Sequence, residues 1–182
     1  MVQQPVAVQS IRFSTAPSAA QTIQAFFEML LLSIWFGAMV FFSFCVAPSA
    51  FSALPTKQLA ALVVTSTLSK VELIGLVCGP LLIASILIRP PHGRKWKSSV
   101  TWPRVALLIL MTASAALSRF TVTPVMVAIR SSLPDIIDRI PASDPSRMRF
   151  DNLHQYSVAL MTGALLAGLL TLFLTVHAWM KR

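Results

Sequence analysis

Four long apolar runs, parted by polar stretches, dominate the chain. The first, Ala25–Ala47 (AFFEMLLLSIWFGAMVFFSFCVA), holds 23 residues and a single charge. At about 1.5 Å of rise per residue, a helix of that length crosses a hydrocarbon core ~30 Å thick. The second run spans Val71–Ile88. The third, Val105–Ile129, is interrupted by Arg119 and Pro124, and the fourth spans Leu153–Met180. None alternates apolar and polar positions with the period of a membrane barrel strand. The pattern predicts an all-α integral membrane four-helix bundle, with short interfacial helices in the outer loops.

The intervening stretches refine this picture. Met1–Thr22 is rich in Gln, Ser, Ala and Pro and holds one basic residue, Arg12. The apolar run behind it is too long for a cleaved signal core, so the first helix is expected to be retained. Residues 1–22 read as a disordered cytoplasmic tail and 23–182 as the membrane domain. In Thr56–Leu68, Leu59, Leu62, Val63 and Leu68 recur at near-helical spacing behind Thr56, a candidate N-cap; the segment either lies in the interface or extends the second span. Ser69-x-x-Glu72 is a capping-box pattern that would open that span. Pro134–Ile140 reads as a short amphipathic helix with Ile136, Ile137 and Ile140 on one side. Asn152-x-x-Gln155 would cap the fourth helix.

Composition agrees with the pattern. Of the 182 residues, 55% are hydrophobic and only 12% charged, where soluble domains carry about 25%. The formal charge is nonetheless +9. On a soluble chain that excess would suggest nucleic acid; on one this apolar, basic residues set membrane orientation. Both termini and the loop Arg89–Arg104 fall on one side, with eight basic residues against six on the other. The excess predicts cytoplasmic termini. Trp96 and Trp102 flank the basic loop as interface anchors, and the loop itself either signals topology or binds anionic lipid. Expected partners are the lipid bilayer and other membrane subunits, not nucleic acid.

Ionisable residues within spans are the best pointers to function, because Arg at mid-bilayer costs ~2.5–3.5 kcal/mol on insertion scales. Arg119 lies 14 residues into the third run, about 21 Å along it. Glu72, His154 and Ser157 share its depth. Together they form a candidate polar cluster: a substrate, ion or proton site, or a structural lock on Arg119. A second candidate pair, Glu28 with His177, sits at the cytoplasmic end.

No metal site or cofactor is expected. His154 and His177 are 23 residues apart on one helix, about 35 Å. Cys45 and Cys78 have no metal-ligand or disulfide spacing. Nothing resembles a nucleophile with its base or a phosphate loop, so the chain reads as a non-enzyme. Small residues are a firmer signal. Gly75-x-x-x-Gly79, Gly163-x-x-x-Ala167, Ala164-x-x-x-Gly168 and Ser33-x-x-x-Gly37 are faces on which helices can approach closely; packing within the bundle is the expected use of Gly37, Gly75, Gly79, Gly163 and Gly168.

Several of these residues carry a resemblance. Trp35-Phe36-Gly37, Phe42, Ala47-Pro48, Phe51 and Leu54-Pro55 resemble the first-helix signature of the transmembrane protein 205-like family (domain of unknown function 4149). Phe150-x-x-Leu153-His154-x-x-Ser157 is similar to that family's entry to the last helix, and Pro124 falls where its third helix tends to end. The resemblance implies a four-helix membrane protein without established activity, in a family linked to platinum-drug tolerance and secretion in animals. The layout is distantly similar to copper-resistance membrane proteins, but the metal-ligand clusters such proteins need are missing. The expected role is a non-enzymatic structural or accessory membrane component. The alternatives are a small-solute or metal-ion transporter using Glu72, Arg119 and His154, and, more weakly, a haem- or pigment-binding subunit using His154.

Overall fold

A computed structural model describes residues 18–88, 100–132, 139–141 and 143–180. Most of the N-terminal tail, loop residues 89–99 with Trp96, the stretch 133–138 and the last two basic residues lie outside the described residues, and so do the expectations placed on them.

The chain folds into four long helical rods, with no strand among the described residues. The first rod comprises α1 (Ala19–Phe41), a π-helical turn (Phe42–Val46) and α2 (Ala47–Ala53). The second is α3 (Lys57–Ile88). The third comprises α4 (Thr101–Leu117), a π-helical turn (Ser118–Val122) and α5 (Thr123–Ser132). The fourth is α6 (Pro145–Met180). All four are long and apolar enough to cross a membrane.

Each rod is longer than the apolar run that announced it, and local chemistry sets where it starts. Ser18 and Gln21 close a capping box at the head of α1, satisfying two otherwise orphaned donors. Thr56 Oγ1 accepts from the Leu59 amide at 3.3 Å, so the Thr56 cap holds. The segment behind it is no separate interfacial helix but the first turns of α3. Ser69 and Glu72 are therefore mid-helix and form no capping box. Asp144, not Asn152, caps α6: its Oδ1 accepts from the amides of Ser146 at 2.7 Å and Arg147 at 3.4 Å. Pro145, with no N–H to satisfy, takes the first helical position.

The two π-helical turns have a common cause. Each stands just before a proline, Pro48 or Pro124, which has no amide to give and whose ring presses on the carbonyl one turn back. The wider turn relieves that conflict, and both helices continue. Pro124 thus does not end the third rod.

α1 packs on α3 and α6, and α4 on α3 and α6, giving a four-cornered bundle. Leu32, Trp35, Met39, Leu82, Leu108 and Met111 fill its axis. Thr171 and Thr175 are buried with them, their hydroxyls returned to the carbonyls of Ala167 and Thr171 at 2.7 Å. The outward faces are apolar too (Phe41, Val77, Ile109 and Phe173 are exposed), as a lipid solvent requires.

Of the five glycines assigned to helix packing, Gly75, Gly79 and Gly168 lie against neighbouring helices. A Cβ on Gly75 would lie 2.7 Å from Trp35 Nε1, and one on Gly168 2.8 Å from Phe36 Cδ2. Gly79 closes on Thr112 in the same way. The Trp35-Phe36 pair is thereby explained: each ring lies on a glycine of a neighbouring helix. Gly37 and Gly163 have nothing within 4 Å of the position a Cβ would take. They face outward, which corrects the expectation of packing within the bundle.

Candidate functional site

Gln24, Ser85 and Arg104 meet near one end of the bundle. Gln24 Nε2 donates to the Ser85 carbonyl at 2.5 Å and to Ser85 Oγ at 3.2 Å. Ser85 Oγ donates to Glu28 Oε1 at 3.1 Å, and Arg104 Nη2 reaches Glu28 Oε2 at 3.3 Å. This chain ties α1, α3 and α4 together with Glu28 3% and Arg104 6% exposed. Glu28 is thus paired with Arg104, not with the expected His177, which stacks on Phe173 at 6.0 Å. The signal for Arg104 was present in the sequence. It stands one residue before the third apolar run, where Glu28 stands three residues into the first, and it reads as one more charge of the basic loop.

In the other half of the bundle, the expected cluster of Glu72, Arg119, His154 and Ser157 divides in two. Glu72, 4% exposed on α3, accepts from Ser118 Oγ at 2.5 Å through Oε1. Its other oxygen, Oε2, has no hydrogen-bond partner. Glu72 and Ser118 border a cavity of about 30 Å³ with Trp35, Met111 and Ser114. Arg119 turns to Ser69 instead, donating from Nη1 to its carbonyl at 2.9 Å and its hydroxyl at 2.7 Å, while remaining within electrostatic reach of Glu72. The π-helical turn makes this possible. With more residues per turn, successive side chains diverge less, so adjacent Ser118 and Arg119 both face α3 and meet residues one turn apart there.

His154 and Ser157 lie on the wall of a larger space, a groove of about 800 Å³ between the α1–α2 rod, the first turns of α3, α5 and α6. Its deeper part is mostly apolar, with Phe42, Val64, Leu68, Met126, Met161 and Leu165 beside the hydroxyls of Ser43, Thr65, Thr123 and Thr162. Its mouth is polar, with Lys57, Arg130, Asp151 and His154. Arg130 lies over the Phe150 ring, 5.4 Å from its centre. Leu68 and Met161 border both the groove and the Glu72 cavity. His154 and Ser157 thus do not join Glu72 and Arg119, and the groove they line was missed in the sequence because its walls come from four separated segments.

The polar network at one end and the groove at the other also fix the path of the chain. Gln24, Ser85 and Arg104 share the first end, and Phe51, Lys57, Arg130 and Phe150 the second. The four rods therefore run alternately up and down. Among the described residues, no three His, Cys, Asp or Glu side chains gather closely enough to hold a metal ion.

No curated protein and no solved structure matches the chain. A family does: residues 30–133 match the model of a domain of unknown function, DUF4149. The match takes in the first rod from Leu30 onward and the second and third rods, with Glu72, Ser118 and Arg119, and stops before α6, so His154 and Ser157 lie beyond it. Covering more than half of the chain, it makes this four-span membrane protein a member of the DUF4149 family.

Proposed function

We propose that the chain is a non-enzymatic membrane component that takes a membrane-soluble amphiphile into the groove beside α6. The groove carries this reading. Its volume of about 800 Å³ falls within the ~300–1,000 Å³ of sites that enclose small molecules, which are mostly apolar with a few polar groups fixing orientation. A mostly apolar interior under a polar mouth suits a ligand with the same division. The two buried glutamates take another part. Glu28 is committed to Arg104 and Ser85 and Glu72 to Ser118, each fastening one helix to another.

Thr65 lines the groove from α3, so Thr65→Trp would fill it. The full chain, purified in mild detergent and extracted with organic solvent, is expected to yield a bound amphiphile by mass spectrometry. Thr65→Trp is expected to lose it while eluting at the same size. An empty wild-type chain, or equal yields from both proteins, would overturn the reading.

A second reading, a structural or accessory subunit, draws on the open faces at Gly37 and Gly163, where a helix of another chain could approach closely. In that case Gly163→Leu would strip a co-purifying partner and leave the amphiphile in place.

A further inference from the structure

The chemistry at the mouth of the groove narrows the ligand. Arg130 lines that mouth, half-buried, with its guanidinium over Phe150. No hydrogen bond or ion pair holds it among the described residues; its one polar contact is the ring. A cation withdrawn from water without an anion is costly, and a guanidinium offers a planar fork of donors matched to a carboxylate or phosphate. Among the described residues, the acid that shares its mouth is Asp151, adjacent to Phe150 in sequence, and Asp151 Oδ2 lies 3.8 Å from Arg147 Nε. Arg130 is therefore a positive charge awaiting a partner. Lys57, the other cation at the mouth, is already engaged, so Arg130, with Asp151 nearby, favours a ligand of one negative charge over a dianionic phosphate.

The length of the groove sets the rest of the molecule. Along α6 its lining runs from Phe150 to Leu165, about 22 Å at 1.5 Å per residue. That exceeds one leaflet of a ~30 Å core, so an extended chain fits lengthwise. We propose that the groove holds a long-chain carboxylate, a fatty acid, with its head on Arg130 and its chain against Met126, Met161 and Leu165. This rests on the reading of the groove as a ligand site and adds the chemical class of the ligand.

The test separates the two claims. Full-length protein in nanodiscs of neutral phosphatidylcholine is titrated with spin-labelled palmitate and with its methyl ester, at a pH where the acid is ionised. A charge-assisted pair contributes about 1.5–3 kcal/mol, so the acid should bind about tenfold or more tighter than the ester. Arg130→Gln should bring the binding of the acid to the level of the ester. Arg130→Lys, which keeps the charge, should recover part of the preference. Equal binding of acid and ester to the wild-type chain would overturn the head-group assignment and leave the groove reading standing. Binding of neither would overturn both.

Discussion

Glu28 and Glu72 are the same residue type, equally buried, with different partners. Glu28 faces Arg104, and breaking such a pair strands a buried charge, which costs about 3–5 kcal/mol. Glu28→Leu or Arg104→Leu alone should therefore lower the unfolding temperature sharply in detergent, whereas the double variant should recover most of the loss. Glu72 has one donor, Ser118. Ser118→Ala should cost about 1–3 kcal/mol, the toll of a buried acceptor left unsatisfied, and much less in a Glu72→Leu background; a double-mutant thermal melt reads the difference. These partners were half legible. The sequence singles out Glu28 and Glu72 as charges within spans, because approximate depth follows from position in a span. It did not reveal Ser85, Arg104, Ser118 or Ser69 as partners, because pairing depends on the rotation of each helix about its axis.

Rotation is set at the scale of the element, and here the prolines and glycines decide it. The turns before Pro48 and Pro124 widen the helix, and the second of them brings Ser118 and Arg119 to the same neighbour. The family resemblance implies that the third helix ends at Pro124, and the apolar run only marks an interruption there; in the bundle the π-helical turn absorbs the lost hydrogen bond and the helix goes on. Small-residue spacing identified surfaces on which helices can approach, but not which of them are used. Gly75→Ala would drive a methyl into the Trp35 ring, 2.7 Å away, at a cost of about 1–3 kcal/mol for overpacking. Gly163→Ala meets open space and should be neutral or gain about 0.5–1 kcal/mol from the entropy of the unfolded chain. Parallel melts of the two variants test this contrast. The opposite order would mean that Gly163 is covered and Gly75 is not.

At the scale of the molecule, the four spans and their alternation were legible, because a bilayer demands about 20 apolar residues in a row and tolerates few exceptions. The bias of basic residues goes further and predicts cytoplasmic termini. A reporter fused behind Arg182 should read on the cytoplasmic side, and one inserted at Pro134 on the opposite side; the reverse result would invert the orientation. The groove was not legible. Phe51, Lys57, Arg130 and Phe150 are far apart in sequence and become neighbours only when the rods close into a bundle.

This groove, rather than the lipid-facing surface, is expected to receive the amphiphile. Photo-crosslinking tests it most directly, with a diazirine-bearing fatty acid added to liposomes that hold the full chain, followed by mapping of the adducts. The expected result is labelling of Met126, Val127, Met161 and Leu165, suppressed by excess palmitate and by Thr65→Trp. Labelling spread over outward residues such as Phe41, Leu169 and Phe173, indifferent to palmitate and sparing the groove, would contradict it.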